Sequence, residues 1–341
     1  MEVTKDSIAQ KYNFSKCVIC THKFMDEDPN PCSDEHIIPE FLGGKLKVKF
    51  LCKICNNNLG GGVESRLAVS FFGKAHAHQY QIKGKSGRVP NSPLVGNYEY
   101  NNTTIFFAPD YTIKMHPAIE CTVREDGGIT FKGSIDANNL ESSKQELVTM
   151  IIRKFKQQDR EVNRDSIYEQ ISANIDNLPR SVHEKPKINI RVSIDLSDIQ
   201  LLHLKIAYEI LCIHFGEEII DDSFFDKWRL SLQHQVIDTS IPYGNKSFFE
   251  TIEHLKDLSP GTINFTSFEE GHSRNNILII LSPNAIFVRC LGFWGVFKIN
   301  KSESLFLYEH GVLDGKLQQY NYDEFIIRFI NIKSIAALDQ I

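Results

Sequence analysis

Apolar positions along this chain recur in two rhythms. Between Lys187 and Asp195 they alternate, with Ile188, Ile190, Val192 and Ile194 on one side, which predicts a half-buried strand. Just beyond, Ile199, Leu202, Ile206, Ile210 and Ile213 recur at spacings of three and four. That spacing predicts a long amphipathic helix with one buried face, opened by a capping box at Ser197-Asp198-Ile199-Gln200. A second capping box, Ser143-Lys144-Gln145-Glu146, predicts a helix through about Arg160. Strands are expected at Thr103 to Phe107 and on either side of the turn Glu125-Asp126-Gly127-Gly128. Ile277 to Leu281 and Ala285 to Arg289, split by Ser282-Pro283-Asn284, read as a hairpin, and Phe293 to Ile299 as another strand. Residues 84–97 are rich in Gly, Pro, Ser and Asn and read as a linker or exposed loop. The expected architecture is α+β: a small domain over 1–83, that linker, and a larger mixed domain over 98–341 of unassigned role.

Composition narrows the class. Of 341 residues 42% are hydrophobic and 24% charged, the balance of a globular protein with a real core rather than a disordered tail or a fibre. No run approaches the roughly 18 to 20 apolar residues of a membrane helix, and the first residues lack the apolar core of a signal peptide. A cytoplasmic protein is therefore expected. The net charge of −5 hides an asymmetry, because residues 44–90 carry nine Lys and Arg against a single acid, Glu64. Such a stretch suits a polyanion, or else forms a solvated lysine-rich face.

Four of the eight cysteines form two CxxC units, Cys17 with Cys20 and Cys52 with Cys55. Where no export signal is seen, two such pairs read as a metal site before they read as disulfides. Together they complete a closed tetrahedral Zn²⁺ shell with no open position, hence a structural ion. The 31 residues between the pairs exceed the span of a compact zinc ribbon, so a segment is inserted between the knuckles.

That insert holds Ser33-Asp34-Glu35-His36-Ile37-Ile38-Pro39 and then Phe41-Leu42-Gly43-Gly44. After the second knuckle come Asn56-Asn57-Asn58-Leu59-Gly60 and Val63-Glu64-Ser65-Arg66-Leu67. In this order the residues resemble the HNH (ββα-metal) endonucleases, especially a zinc-ribbon-framed branch with an EHIIP…LGG…CxxCNN signature, over about residues 14–70. The resemblance implies a metal-dependent endonuclease acting on DNA. Placed beside an unfamiliar companion domain, it also implies a setting in bacterial restriction or phage defence.

By position, the resemblance makes His36 the general base, with Glu35 and Asn56 holding a catalytic Mg²⁺ or Mn²⁺. The chemistry of the residues agrees. Imidazole titrates nearest neutral pH, and carboxylate and amide oxygens suit a hard cation that keeps part of its water shell. Asn57 and Glu64 are further candidate ligands, although a helix-surface carboxylate is the plainer reading of Glu64. Lys45, Lys47, Lys49 and Lys53 are expected to hold phosphates. Two departures stand out. The middle asparagine of the motif is replaced by Lys47-Val48-Lys49-Phe50, and the final histidine by Asn56 or Asn57.

Other histidines carry less. His76 and His78 sit two apart, on one side of an expected strand, and read as a phosphate-contacting or incidental pair. His22 belongs to the zinc loop, where four cysteines already fill the shell, while His203 and His214 pack in the long helix or face solvent. Phe293-Trp294-Gly295 reads as core before it reads as a base-stacking surface. No Walker loop, dinucleotide fingerprint, nucleophile elbow or internal repeat is found. One such site cuts one strand, so a double-strand break implies a homodimer or two sequential nicks, and the acidic C-terminal portion suits dimerisation, recognition of a modified base or a regulatory protein partner. RNA cleavage would use the same residues. The rival from another class is a non-catalytic zinc-dependent nucleic-acid-binding module, which has no need of Glu35, His36 and Asn56.

Overall fold

The computed structural model describes residues 1–175, 192, 195–244 and 276–324, with positions 26, 85, 101–102, 116–117, 125–128, 135, 137–138, 158, 302–304 and 322 left aside. The chain divides into two compact units, one built from Met1–Pro90 and Ser193–Ile341, the other from Asn91–Val192. The larger C-terminal region expected at 98–341 is thus split. Its first part stands as a separate unit, and its remainder folds with the zinc-knuckle segment. The expected strand at Lys187 to Asp195 and the turn at 125–128 lie outside the described residues.

The first unit begins with strand β1 (Glu2–Val3) and helix α1 (Lys5–Lys11), capped by Thr4, whose hydroxyl accepts from the Ser7 amide. Strands β2 (Cys32–His36) and β3 (Lys47–Cys52) form a separate antiparallel hairpin, followed by α2 (Lys53–Leu59), α3 (Ser65–Val69) and α4 (Phe71–Gln79). Between the hairpin strands a 3-10 turn at Glu40–Leu42 ends on Gly43, whose φ of 90° is left-handed. A Cβ on the next residue, Gly44, would lie 1.7 Å from the Ile38 carbonyl oxygen, so the chain closes here only on glycine.

The second unit holds β4 (Gly96–Tyr100), β5 (Thr103–Phe107) and β6 (Ile113–Met115) in one antiparallel sheet. A hairpin of β7 (Ala118–Val123) and β8 (Ile129–Ser134) follows, then α5 (Leu140–Lys156) and α6 (Arg164–Ile175). The two helices join Leu147, Val148, Ile151 and Phe155 with Ile167, Ile171 and Ile175 in one apolar cluster. Helix α5 opens at Asn139, a turn ahead of the expected capping box, and Ser143 is buried inside it.

The chain then re-enters the first unit as α7 (Leu196–Phe215), α8 (Glu218–Asp221) and α9 (Asp226–His234). Strands β9 (Tyr243–Gly244), β10 (Ile277–Ser282), β11 (Ala285–Cys290), β12 (Phe293–Lys298), β13 (Phe306–His310) and β14 (Leu317–Tyr320) complete it. They form a seven-stranded antiparallel sheet in the order β1-β14-β13-β10-β11-β12-β9. The expected hairpin is the β10–β11 pair, with Asn284 left-handed (φ 65°) in its two-residue turn.

Helix α7 departs from its expected amphipathic form. Its cap is Asp195, which accepts from the Ser197 amide, and Gly216 ends it. Almost every residue from Asp198 to His214 is buried. The cause is its central place. It shares one core with the knuckle hairpin (Val18, Phe50) and with one face of the sheet (Ile279, Leu281, Val288, Phe297). Leu278, Ile280, Phe287 and Trp294 belong to a second apolar cluster, so β10 is buried on both faces. Among the described residues no helix is long and apolar enough to cross a membrane.

Candidate active site and zinc centre

The zinc centre follows from two tight turns. In the first knuckle the Cys17 amide donates to the His22 carbonyl and the Thr21 amide to the Cys17 carbonyl. In the second, β3 delivers Cys52 and the first turn of α2 delivers Cys55. The ligand sulfurs of Cys17, Cys20, Cys52 and Cys55 all lie within 4.8 Å of one another, and Cys20 Sγ is 3.6 Å from Cys52 Sγ. A tetrahedral ZnS₄ site with bonds of about 2.3 Å has edges of about 3.8 Å, so the cluster fits zinc, and four thiolates leave no open position. Hydrogen bonding to Cys55 holds Cys17 down at about 5, while burial pushes Cys20 up to about 11. His22 stands aside from the cluster, with Nε2 2.6 Å from Asp28 Oδ2.

The hairpin has an outer and an inner face. In register, Asp34 pairs with Lys49, Glu35 with Val48, and His36 with Lys47. Side chains alternate along a strand and directly opposed residues share a face. Asp34, His36, Lys47 and Lys49 therefore stand on the outer face. Asp34, Lys47 and Lys49 are exposed there and His36 is half-buried. Burial and then the Lys47 ammonium hold the imidazole of His36 below its usual value, which favours its neutral form. Asn56 on α2 anchors the strand, its amide donating to the Asp34 carbonyl at 2.8 Å and to Ser33 Oγ at 3.0 Å. Lys5 pairs with Asp34 at 2.9 Å.

Glu35 points the other way. It is 3% exposed, and its carboxylate meets Lys205 Nζ of α7 at 2.8 Å. Glu64, in the irregular turn between α2 and α3, meets the same nitrogen at 3.0 Å, and Glu209 at 3.2 Å. The Lys205 ammonium also donates to the backbone carbonyls of His36 and Ile37. Burial by itself would strip Lys205 of its proton, but Glu209, Glu35 and Glu64 outweigh it and keep the group charged. Burial raises Glu35 and Glu209 against the pull of Lys205.

Lys205 occupies the space beside two of the expected catalytic ligands, Glu35 and Glu64. The amide nitrogen of Asn56 donates to β2, while Glu35 and Glu64 converge on a cation that the chain itself supplies. Paired with Lys205, Glu35 and Glu64 do not fit a divalent ion as ligands. Asn57 is exposed on α2, and Lys53 is exposed at its start. Lys45 reaches away from the outer face to the Asp314 carbonyl at 2.9 Å, leaving Lys47 and Lys49 beside His36.

His76 and His78 lie on helix α4 rather than a strand, where residues two apart diverge. His76 stacks edge-on to Tyr80 at 4.8 Å, and His78 Nδ1 is 3.0 Å from the Pro90 carbonyl. His203 and His214 are packed, each with Nδ1 on a tyrosine hydroxyl, Tyr243 at 3.1 Å and Tyr308 at 2.6 Å. Trp294 is core, with Arg289 over its ring.

Sequence reasoning missed three residues that brace the hairpin and its helices from the far part of the chain. Besides Lys205, Asp198 accepts a fork from Arg66 at 2.6–3.0 Å. Gln235 accepts from the Val63 amide at 2.7 Å and donates to the Asn58 carbonyl. A signal was present, since Lys205 and Glu209 are an i,i+4 charge pair inside an otherwise apolar twenty-residue helix.

Residues 17–72 match the HNH endonuclease family model. No curated protein and no solved structure matches the chain.

Proposed function

We propose that the protein is an HNH endonuclease that hydrolyses phosphodiester bonds in DNA, with His36 as its general base. The family match over residues 17–72 makes a nuclease activity and a nucleic-acid substrate the coarse reading. The observation that carries the finer one is the outer face of the β2–β3 hairpin, where His36 stands with Lys47 and Lys49. A phosphate seated between the two ammonium groups lies beside a neutral imidazole. His36 takes the proton of a water as its oxygen attacks phosphorus. The bond to the 3′ oxygen breaks, and that oxygen is protonated from solvent. The lysines offset the charge that builds on the phosphoryl oxygens. Asn56 acts on this face by fixing β2, through the Asp34 carbonyl. We route no step through a divalent ion, because Glu35 is committed to Lys205.

That commitment also favours a second reading, a zinc-framed module that binds nucleic acid without cutting it. One experiment separates the two. Wild-type and His36→Ala proteins are incubated with supercoiled plasmid, single-stranded DNA and RNA, each with Mg²⁺, Mn²⁺ or EDTA, and the same samples are run in a shift assay. Cleavage of DNA by wild type should fall at least about hundredfold in His36→Ala, with zinc content and folding unchanged. Cleavage retained by His36→Ala sinks the assignment. Binding without cleavage by the wild type establishes the second reading.

A further inference from the structure

The buried cluster beneath the hairpin is a cation site with an unusual occupant. Three carboxylate oxygens, from Glu35, Glu64 and Glu209, lie 2.8–3.2 Å from Lys205 Nζ, and the His36 and Ile37 carbonyls complete five oxygens around one nitrogen. An oxygen shell of this kind is what a hard divalent ion takes, but at about 2.0–2.6 Å rather than at hydrogen-bond length. Lys205 and Glu209 are fully buried, and neither Glu209 oxygen nor Glu64 Oε1 has a hydrogen-bond partner, so these two acids face Lys205 as ion pairs. An ammonium on α7 is tethered, so neither dilution nor a chelator removes it. A divalent ion reaching Glu35 would have to expel that ammonium from the centre of the core, leaving a second buried charge without a partner.

We propose that Lys205 is the resident cation of this pocket and a positioning residue for His36: it keeps Glu35 from binding a divalent ion and pins β2 through the carbonyls of His36 and Ile37. What His36 then does rests on the nuclease reading, whereas the occupancy of the pocket does not. The acid of the EHIIP motif is in this chain a strut, and the catalytic hairpin depends on a helix well over a hundred residues downstream of the family match.

The test is Mn²⁺ titration of the zinc-loaded full chain, followed by the EPR signal of free Mn²⁺. Glu35→Gln should leave the wild-type isotherm unchanged within twofold, and an absence of Mn²⁺ binding in both proteins supports the proposal equally. Lys205→Ala should gain one Mn²⁺ per chain, and the Lys205→Ala/Glu35→Gln double variant should lose it. A tenfold or greater weakening of Mn²⁺ affinity by Glu35→Gln alone overturns the proposal, as does a folded Lys205→Ala protein that gains no ion. Because Lys205→Ala strands three buried carboxylates, the Glu35→Gln comparison carries the test if that variant does not fold. Cleavage plays no part in the readout, so a failure of the nuclease reading leaves this result standing.

Discussion

On the outer face of the β2–β3 hairpin stand Asp34, His36, Lys47 and Lys49; on the inner face, one residue along the same strands, stand Glu35 and Val48. Outside, Lys47 and Lys49 are exposed, and their charges act on Asp34 on the same face. Inside, the ammonium of Lys205 is enclosed and shared among three acids. The strand period of two is all that separates the two settings. A motif that places an acid directly before a histidine therefore sends the pair in opposite directions, and whether the acid meets a metal or a protein cation depends on what packs beneath.

The strongest way to break this contrast is to remove the frame that holds both faces. Cys52→Ser, or zinc stripped by a chelator, should unfold the hairpin, since structural zinc is worth about 10–16 kcal/mol of folding free energy in small modules. Zinc content measured alongside thermal unfolding checks this, and an unchanged melt without zinc would refute it.

A smaller effect tests the faces against each other. Lys205→Met should cost about 3–5 kcal/mol, the usual result of stranding buried partners. Lys47→Met on the outer face should change stability by no more than about 0.5 kcal/mol. Urea midpoints of the two variants give the comparison directly.

The pH dependence sharpens it further. His36 must be neutral to act as a base, and burial and Lys47 hold it below its usual value. Cleavage should therefore rise with pH through an apparent pKa under 6.5 and stay flat above it. Lys47→Ala removes a nearby positive charge, so the acid limb should move to higher pH. A limb that stays in place would remove Lys47 from the site.

The buried histidines respond in the opposite currency, stability. His203 is held down to about 3 and His214 to about 4, chiefly by burial. Each is neutral in the folded state, while the unfolded chain takes up a proton below about 6.5. Stability should therefore fall as pH drops from about 6.5 toward 4, by on the order of 3 kcal/mol for each histidine. His203→Leu should flatten that slope in melts recorded across the range. The smallest effect belongs to Lys49→Ala, which should lower the salt dependence of DNA binding by about one unit of log–log slope. Lys45→Ala should lower it less, because Lys45 bonds the Asp314 carbonyl.

The parts of this molecule legible in its sequence are those whose partners are near in the chain. The CxxC turns are local, and two of them close a metal shell whatever lies between. The Leu42-Gly43-Gly44 turn needs glycine because of the Ile38 carbonyl six residues back. The β10–β11 hairpin is set by its own two-residue turn. What was hidden depended on distance. Lys205 reaches across 169 residues to the His36 carbonyl. The all-round burial of α7 depends on the hairpin and the sheet enclosing it, whereas its spacing of apolar residues advertises only one face. His76 and His78 looked like strand residues because an i,i+2 pair carries no mark of helix, and the packing of α4 decides it.

The division of the chain also imposes an order of manufacture. A ribosome that has released residues 1–90 has made both knuckles and His36, but not the helix that carries Lys205, nor the strands that share its core. The intervening unit must be synthesised first. At about 5–20 residues per second, the helix that completes the site ends roughly 6–25 s later. Later still, β1 at residues 2 and 3 finds its partner strand at residues 317 and 318. A chain broken off after the knuckles holds His36 without the Lys205 ammonium that bonds its carbonyl.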